Sequence, residues 1–259
     1  MTQPLRFCTW NIQLGLQLDK ILAALRDEAD LSGLDILALQ EASVHGRKED
    51  AQVIAETLGP EYEYFQVTAH THKRFVQANA VVWNTRRLHV THREVVDLPR
   101  ARELKLSRTE GTLLRALRSQ RRNSIFVEGA RGAETLRVYA AHLDVVGFAH
   151  KREQFSRIVN DAQGRAPVDL TILAGDLNTF RVRSFPKWSG MVSDAEAAGL
   201  HDLTSEIHWT HAVRSIRLKQ KLDAIFVGGR RPLRYRSWSL DIAGSDHIPV
   251  LADIANDEA

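Results

Sequence analysis

The sequence predicts an α/β domain built on mixed sheets. Three observations carry this prediction. Three segments have helical periodicity, eight short apolar runs have strand character, and the two kinds interleave along most of the 259 residues.

The helical segments come first. Leu18, Ile21, Leu22 and Leu25 fall at i, i+3, i+4 and i+7. Ala51, Ile54, Ala55 and Leu58 repeat that spacing, as do Phe155, Ile158, Val159 and Ala162. Four side chains at these intervals share one helix face. The strand-like runs are Leu5–Trp10, Asp35–Leu39, Ala80–Trp83, Ser124–Glu128, Thr135–Ala141, Asp169–Ala174, Leu222–Val227 and Ile248–Ala252. From Asn79 to Ala141 several strands follow one another. That succession suits antiparallel pairing, so mixed sheets are expected rather than purely parallel ones.

Composition narrows the class. A chain that is 44% hydrophobic is not disordered as a whole. No apolar run nears the roughly 20 residues that span a bilayer, and the first residues do not read as a secretory signal. The single cysteine, Cys8, lies in an apolar run and reads as core. It excludes an intramolecular disulfide framework and a cysteine-built zinc site. No repeat or linker stands out, so a single domain over residues 1–259 is expected, with little added at either end. A cytoplasmic monomer without a stable membrane anchor is the corresponding expectation.

Charge is uneven. The net is +3, with 27 Arg and 8 Lys. The stretch Arg100–Arg122 holds eight basic and two acidic residues, a local +6, so the rest of the chain nets −3. Leu113, Leu114 and Leu117 suggest a short helix with Arg115, Arg118 and Arg122 opposite. Arg115, Arg118, Arg121 and Arg122 are candidate substrate contacts to phosphate, although a solvated surface segment has the same pattern.

The most informative polar residues follow the apolar runs. Asn11 follows the first, Gln40 and Glu41 the second, His142 and Asp144 the Thr135–Ala141 run, and Asp176 and Asn178 the Asp169–Ala174 run. Ligands in α/β folds gather beyond the carboxyl ends of strands. One such residue reads as a loop cap. Four such ends, with Ser245-Asp246-His247 leading into the last strand, form a constellation. Glu41, Asp176, Asp246, Asn11 and Asn178 offer hard oxygen donors that suit Mg²⁺ or Mn²⁺. His142 and His247 add imidazoles able to donate hydrogen bonds or move protons. These are the parts needed for in-line attack of water on a phosphate ester.

In order, the segments are Thr9-Trp10-Asn11-Ile12, Leu39-Gln40-Glu41, Asn79-Ala80-Val81-Val82, His142-Leu143-Asp144, Gly175-Asp176-Leu177-Asn178, Leu222-Asp223-Ala224-Ile225-Phe226 and Ser245-Asp246-His247-Ile248-Pro249-Val250. Together, from Leu5 to about Ile254, they resemble the endonuclease/exonuclease/phosphatase superfamily of metal-dependent phosphohydrolases. The resemblance implies a four-layer α/β/β/α sandwich of two mixed sheets. It implies that Asn11, Glu41 and Asp246 serve a Mg²⁺ or Mn²⁺ site, with Glu41 a direct ligand. Asp176 would orient and deprotonate the attacking water, and Asn178 would hold phosphate or nucleophile. His247 would contact the scissile phosphate, with Asp223 fixing its tautomer. His142 resembles the second phosphate-contacting histidine of the nuclease and lipid-phosphodiesterase branches.

The substrate stays open at this stage. Gln13, the His142-Leu143-Asp144 segment and the Arg217-Leu218-Lys219-Gln220-Lys221 approach depart from the abasic-site nucleases. A phosphodiesterase acting on DNA or RNA is the leading expectation. A phospholipid phosphodiesterase or small phosphate-ester phosphatase is the alternative. A catalytically idle basic module is a third reading, disfavoured because no catalytic position carries an inert residue. His70-Thr71-His72 and His208-x-x-His211 read as surface histidines, and Trp188 and Trp209 as loop residues. His72, Lys73 and Arg74 are weaker candidates for the groove.

Overall fold

The computed structural model describes residues 3–72, 75–100, 120–145, 147–179, 188–213 and 218–257. The helix expected near Leu113–Leu117, with Arg115 and Arg118, lies outside them, as do Lys73 and Arg74.

Strand β1 (Leu5–Asn11) leads through α1 (Leu18–Asp27) into β2 (Ile36–Ala42). Two short strands, β3 (Val44–His45) and β4 (Lys48–Glu49), precede α2 (Asp50–Leu58). Then come β5 (Tyr62–His72), β6 (Phe75–Asn84), β7 (His89–Asp97), β8 (Asn123–Arg131) and β9 (Glu134–His142). Helix α3 (Phe148–Gly164) connects β9 to β10 (Leu170–Asp176), and α4 (Trp188–Ala197) follows. The remainder is β11 (His201–Asp202), β12 (His211–Val213), β13 (Leu218–Gln220), β14 (Asp223–Gly229), β15 (Leu233–Ser239) and β16 (Val250–Asn256).

Two six-stranded sheets result, in the orders β15-β16-β1-β2-β6-β5 and β11-β14-β10-β9-β8-β7. Each holds one parallel pair, β1 with β2 and β9 with β10, and is otherwise antiparallel. A parallel pair needs a crossover, and α1 and α3 supply the two.

Both faces of the central strands are buried. Phe7, Ile36, Ala38 and Val81 meet Ile125, Val138, Ile172 and Ile225 between the sheets. The alternate residues Cys8, Trp10, Leu37 and Leu39 pack outward against Ile21, Leu25 and Ile54 of α1 and α2. On the other side Phe126, Tyr139, Leu173 and Phe226 pack against Phe155, Ile158, Met191 and Ala195 of α3 and α4. Helices thus cover both outer faces, giving the four-layer α/β/β/α sandwich. Burial on both faces also explains why these strands read as unbroken apolar runs.

The structure adds elements that the apolar pattern did not mark. Strands β7 and β15 are half exposed and carry polar residues on the open face. Trp188 opens α4 instead of lying in a loop. Among the described side chains of that helix the buried ones are small or flexible, Met191 and Ala195, so its periodicity is faint.

Candidate active site

Strand register assembles half of the site. Asp176, the last residue of β10, pairs with His142 of β9 on one side and Asp223 of β14 on the other. Residues level with one another on neighbouring strands project to the same face, so three chemically active side chains stand in one row. Gly175 allows the strands to approach here. Its φ is +144°, and a Cβ there would lie 1.9 Å from the Ala141 carbonyl oxygen.

The other sheet supplies Asn11 and Glu41. Leu39 pairs with Ala80 and Ala42 with Ala78, so Gln40 and Glu41 together oppose Asn79. This β-bulge puts Glu41 at φ +52°, a left-handed conformation uncommon for a residue with a side chain. Gln40 is held away by mutual hydrogen bonding with Thr9. Glu41 instead faces the second sheet, with Oε1 3.9 Å from His142 Nε2.

Asp176 is the hub. Its Oδ2 accepts from Asn11 Nδ2 at 2.9 Å and its Oδ1 from the Asn178 N–H at 3.0 Å. His142 Nε2 and His247 Nε2 lie 3.5 and 3.6 Å from Oδ2. Asn178 is itself left-handed, at φ +50°. Its amide donates to the Leu143 carbonyl at 3.0 Å, and its own carbonyl accepts from buried Lys151 Nζ at 2.5 Å.

His247 is fixed at several points. Its Nδ1 lies 2.8 Å from Asp223 Oδ2. Its carbonyl accepts from Trp10 Nε1, and its N–H donates to Ser245 Oγ, which in turn donates to the Asn11 carbonyl. Thr210 Oγ1 accepts from the Leu222 and Asp223 N–H groups, which anchors the start of β14.

Electrostatics separates the groups. Burial pushes the Asp176 carboxyl up, but the two imidazoles and the N–H donors of Asn11 and Asn178 outweigh it and hold the group below the usual range. Burial and the charge of Asp176 push the Glu41 carboxyl up. Burial, then the Arg122 charge, drives His142 down to about 3. Burial also opposes a charge on His247, but Asp223 and Asp176 more than compensate and raise it to about 10. For Asp246, burial is outweighed by His211 and His247, leaving the carboxyl lowered.

The donor set suits a divalent cation. Among the described residues the Glu41 carboxylate accepts no hydrogen bond, and it faces the like charges of Asp176 and Asp246. A carboxylate in that position suits a cation. Two tighter groupings of potential ligand atoms also occur, Asp176 with Asp223 and His247, and His211 with Asp246 and His247. The first is already joined by the short His247–Asp223 contact.

The sequence-derived residues Asn11, Glu41, His142, Asp176, Asn178, Asp223, Asp246 and His247 therefore converge from both sheets. Of the four candidate arginines, the two described ones do not share a face. Arg121 is exposed and pairs with Asp97 at 3.0 Å, whereas Arg122 is buried beside His142. Arg122 thus turns inward as β8 begins, whereas Arg115 and Arg118 lie outside the described residues. His211 is likewise no ordinary surface histidine. Its ring centroid lies 4.6 Å from that of His247 with the two planes tilted by 54°, and its Nε2 lies 3.6 Å from Asp246 Oδ2. Nothing in the sequence marks it, since a bridge between His211 and His247 brings it there. It borders an open cleft of about 320 Å³ lined by Gln13, Gln17, Ser245 and Asp246.

Comparison with known proteins agrees with this fold. The model of the Endonuclease/Exonuclease/phosphatase family matches residues 8–247. No curated protein matches the sequence significantly. An endonuclease/exonuclease/phosphatase from Bacteroides vulgatus superposes with TM-score 0.74 at 17% identity, covering 99% of this chain and 100% of that one. A mannosyl-6-phosphatase from Bacteroides thetaiotaomicron has TM-score 0.70 at 16% identity, with 97% and 99% covered. D. rerio TDP2, complexed with a single-strand DNA product, has TM-score 0.68 at 14% identity, with 98% and 100% covered. At these identities the likeness to solved structures establishes a common fold.

Proposed function

The chain belongs to the endonuclease/exonuclease/phosphatase family, and from that premise we propose that it is a Mg²⁺- or Mn²⁺-dependent phosphodiesterase, with nucleic acid its leading substrate class. The observation that carries the reading is the convergence of Asn11, His142 and His247 on the single carboxylate of Asp176.

In this mechanism Asp176 orients the attacking water and takes its proton. A general base must be ionised, and its lowered carboxyl range keeps it so at neutral pH. Asn178 supports it through the backbone N–H and can hold the phosphate or nucleophile. His247, charged and steadied by Asp223, presents Nε2 to a phosphoryl oxygen. His142 presents Nε2 from the opposite side of Asp176. Glu41 and Asp246 would hold the cation, with Asn11 beside them orienting Asp176. When bound, the cation offsets phosphate charge and stabilises the leaving oxygen.

The mild basicity and the six basic against two acidic residues of 100–118 support a polyanionic substrate. A phospholipid or small phosphate ester is the second reading. The exposed Leu16 and Val145, which follow Asn11 and Asp144 closely in the chain, favour a substrate with an apolar part. The test is one panel at fixed salt: plasmid DNA, single-stranded DNA, RNA, sphingomyelin and phosphoinositides, each with Mg²⁺, Mn²⁺ or EDTA. Metal-dependent cleavage of DNA or RNA supports the leading reading, and turnover confined to the lipids supports the second. Turnover insensitive to EDTA rules out the metal-assisted mechanism.

A further inference from the structure

Arg122 immediately precedes β8 and is buried to 2% exposure. Its Nη1 carries two N–H bonds. One donates to Gln77 Oε1 at 2.9 Å, and the other meets His142 Nδ1 at 3.1 Å. A guanidinium remains charged in proteins and offers no acceptor, so its partner nitrogen must supply the lone pair. The His142 hydrogen must then sit on Nε2. The opposite side of the ring agrees, since the neighbours of Nε2 among the described residues are acceptors, Asp176 Oδ2 at 3.5 Å and Glu41 Oε1 at 3.9 Å. The charges of Asp144, Glu41 and Asp176 surround the buried guanidinium and offset the cost of placing it there. His247 and Asp144 complete the charged surroundings of the imidazole.

We propose that Arg122 is a positioning residue that locks His142 in its neutral Nε2–H tautomer, making His142 a fixed hydrogen-bond donor to a phosphoryl oxygen and not a proton shuttle. The role toward phosphate rests on the function proposed above, whereas the tautomer does not. With Nε2 already protonated and Nδ1 blocked by a cation, the ring has no site at which to take up a proton. The leaving oxygen therefore receives its proton from another group. His142 also cannot serve as a second base competing with Asp176.

The test is long-range ¹⁵N–¹H correlation NMR on histidine-labelled full-length protein, with and without Mg²⁺, across about pH 5–8. The expected wild-type pattern for His142 is a protonated Nε2 and a bare Nδ1 throughout. A hydrogen on Nδ1, or a doubly protonated ring at neutral pH, overturns the proposal. Arg122→Gln should release the second tautomer and lower kcat about 100-fold with little change in KM, the size of effect seen when one aimed donor is lost. Arg122→Lys keeps a cationic donor and should restore the tautomer and part of kcat. A variant that kept wild-type kcat while losing the tautomer would also overturn the role. Should Arg122→Gln fail to fold, the wild-type spectrum still decides. If the tautomer is as stated but no phosphoester is cleaved, the proposed function falls while the lock stands.

Discussion

Asn11 and Asp176 lie 165 residues apart and in different sheets, yet Asn11 Nδ2 donates to Asp176 Oδ2 at 2.9 Å. The bond crosses the seam of the sandwich. With the Asn178 N–H on Oδ1, it fixes both the direction and the ionisation of the carboxylate. Replacing Asn11 with Asp substitutes a like charge for a donor. The carboxyl of Asp176 should then become harder to ionise, and the acid limb of the kcat profile should move to higher pH. An unmoved limb would separate Asp176 from the rate-determining ionisation.

Asp176→Asn preserves shape and removes the base. Turnover should fall by roughly 10²–10⁴, with the circular dichroism spectrum and Tm close to wild type. Wild-type turnover in this variant would refute Asp176 as the base.

Glu41→Gln should weaken cation binding more than it weakens folding. Removing the charge relieves repulsion from Asp176 and Asp246, so metal-free Tm should hold or rise. The metal concentration for half-maximal activity should increase, and calorimetry with Mn²⁺ should report the same shift. Unchanged Mn²⁺ affinity would remove Glu41 from the metal site.

Metal-free protein should be most stable near pH 6.5. His142 ionises near 6.5 when unfolded and near 3 when folded. The unfolded chain therefore binds more protons across that window, and stability falls as pH drops through it. His247 goes the opposite way, from 6.5 to about 10. Its contribution is complete below 6.5 and is lost as pH rises towards 10. Urea midpoints measured in EDTA over this range check both arms. His142→Ala should flatten the acid arm and leave the alkaline arm.

Gly175→Ala forces a Cβ to within 1.9 Å of the Ala141 carbonyl oxygen at a φ of +144°. A loss of about 3 kcal/mol is expected from backbone strain and overpacking. Gly164→Ala, where nothing lies within 4 Å of the added atom, should instead gain about 0.5 kcal/mol by restricting the unfolded chain. Paired urea titrations measure the two.

Adjacent arginines show where sequence reading reaches its limit. Arg121 and Arg122 are the same residue type in the same basic stretch, yet one meets Asp97 at the surface and the next meets His142 inside. Local composition cannot distinguish them, because the difference is set by where the chain enters β8. Strand β7 escaped notice for a related reason, since an edge strand with a solvated face has no apolar run to detect.

Runs buried on both faces, polar residues at their ends and the order of the motifs are local or linear properties. The sequence by itself therefore determined the α/β class and the central strands, and it singled out Asn11, Glu41, His142, Asp176, Asn178, Asp223, Asp246 and His247 as candidates. Tertiary structure alone decided how they meet. Register sets Asp176 between His142 and Asp223, a bulge turns Glu41 to face the second sheet, and packing of the two sheets brings Asn11 to Asp176. These are contacts between segments far apart in the chain. They arise from hydrogen-bond pairing and core packing over the whole sandwich, as does the burial that sets the protonation of His142 and His247.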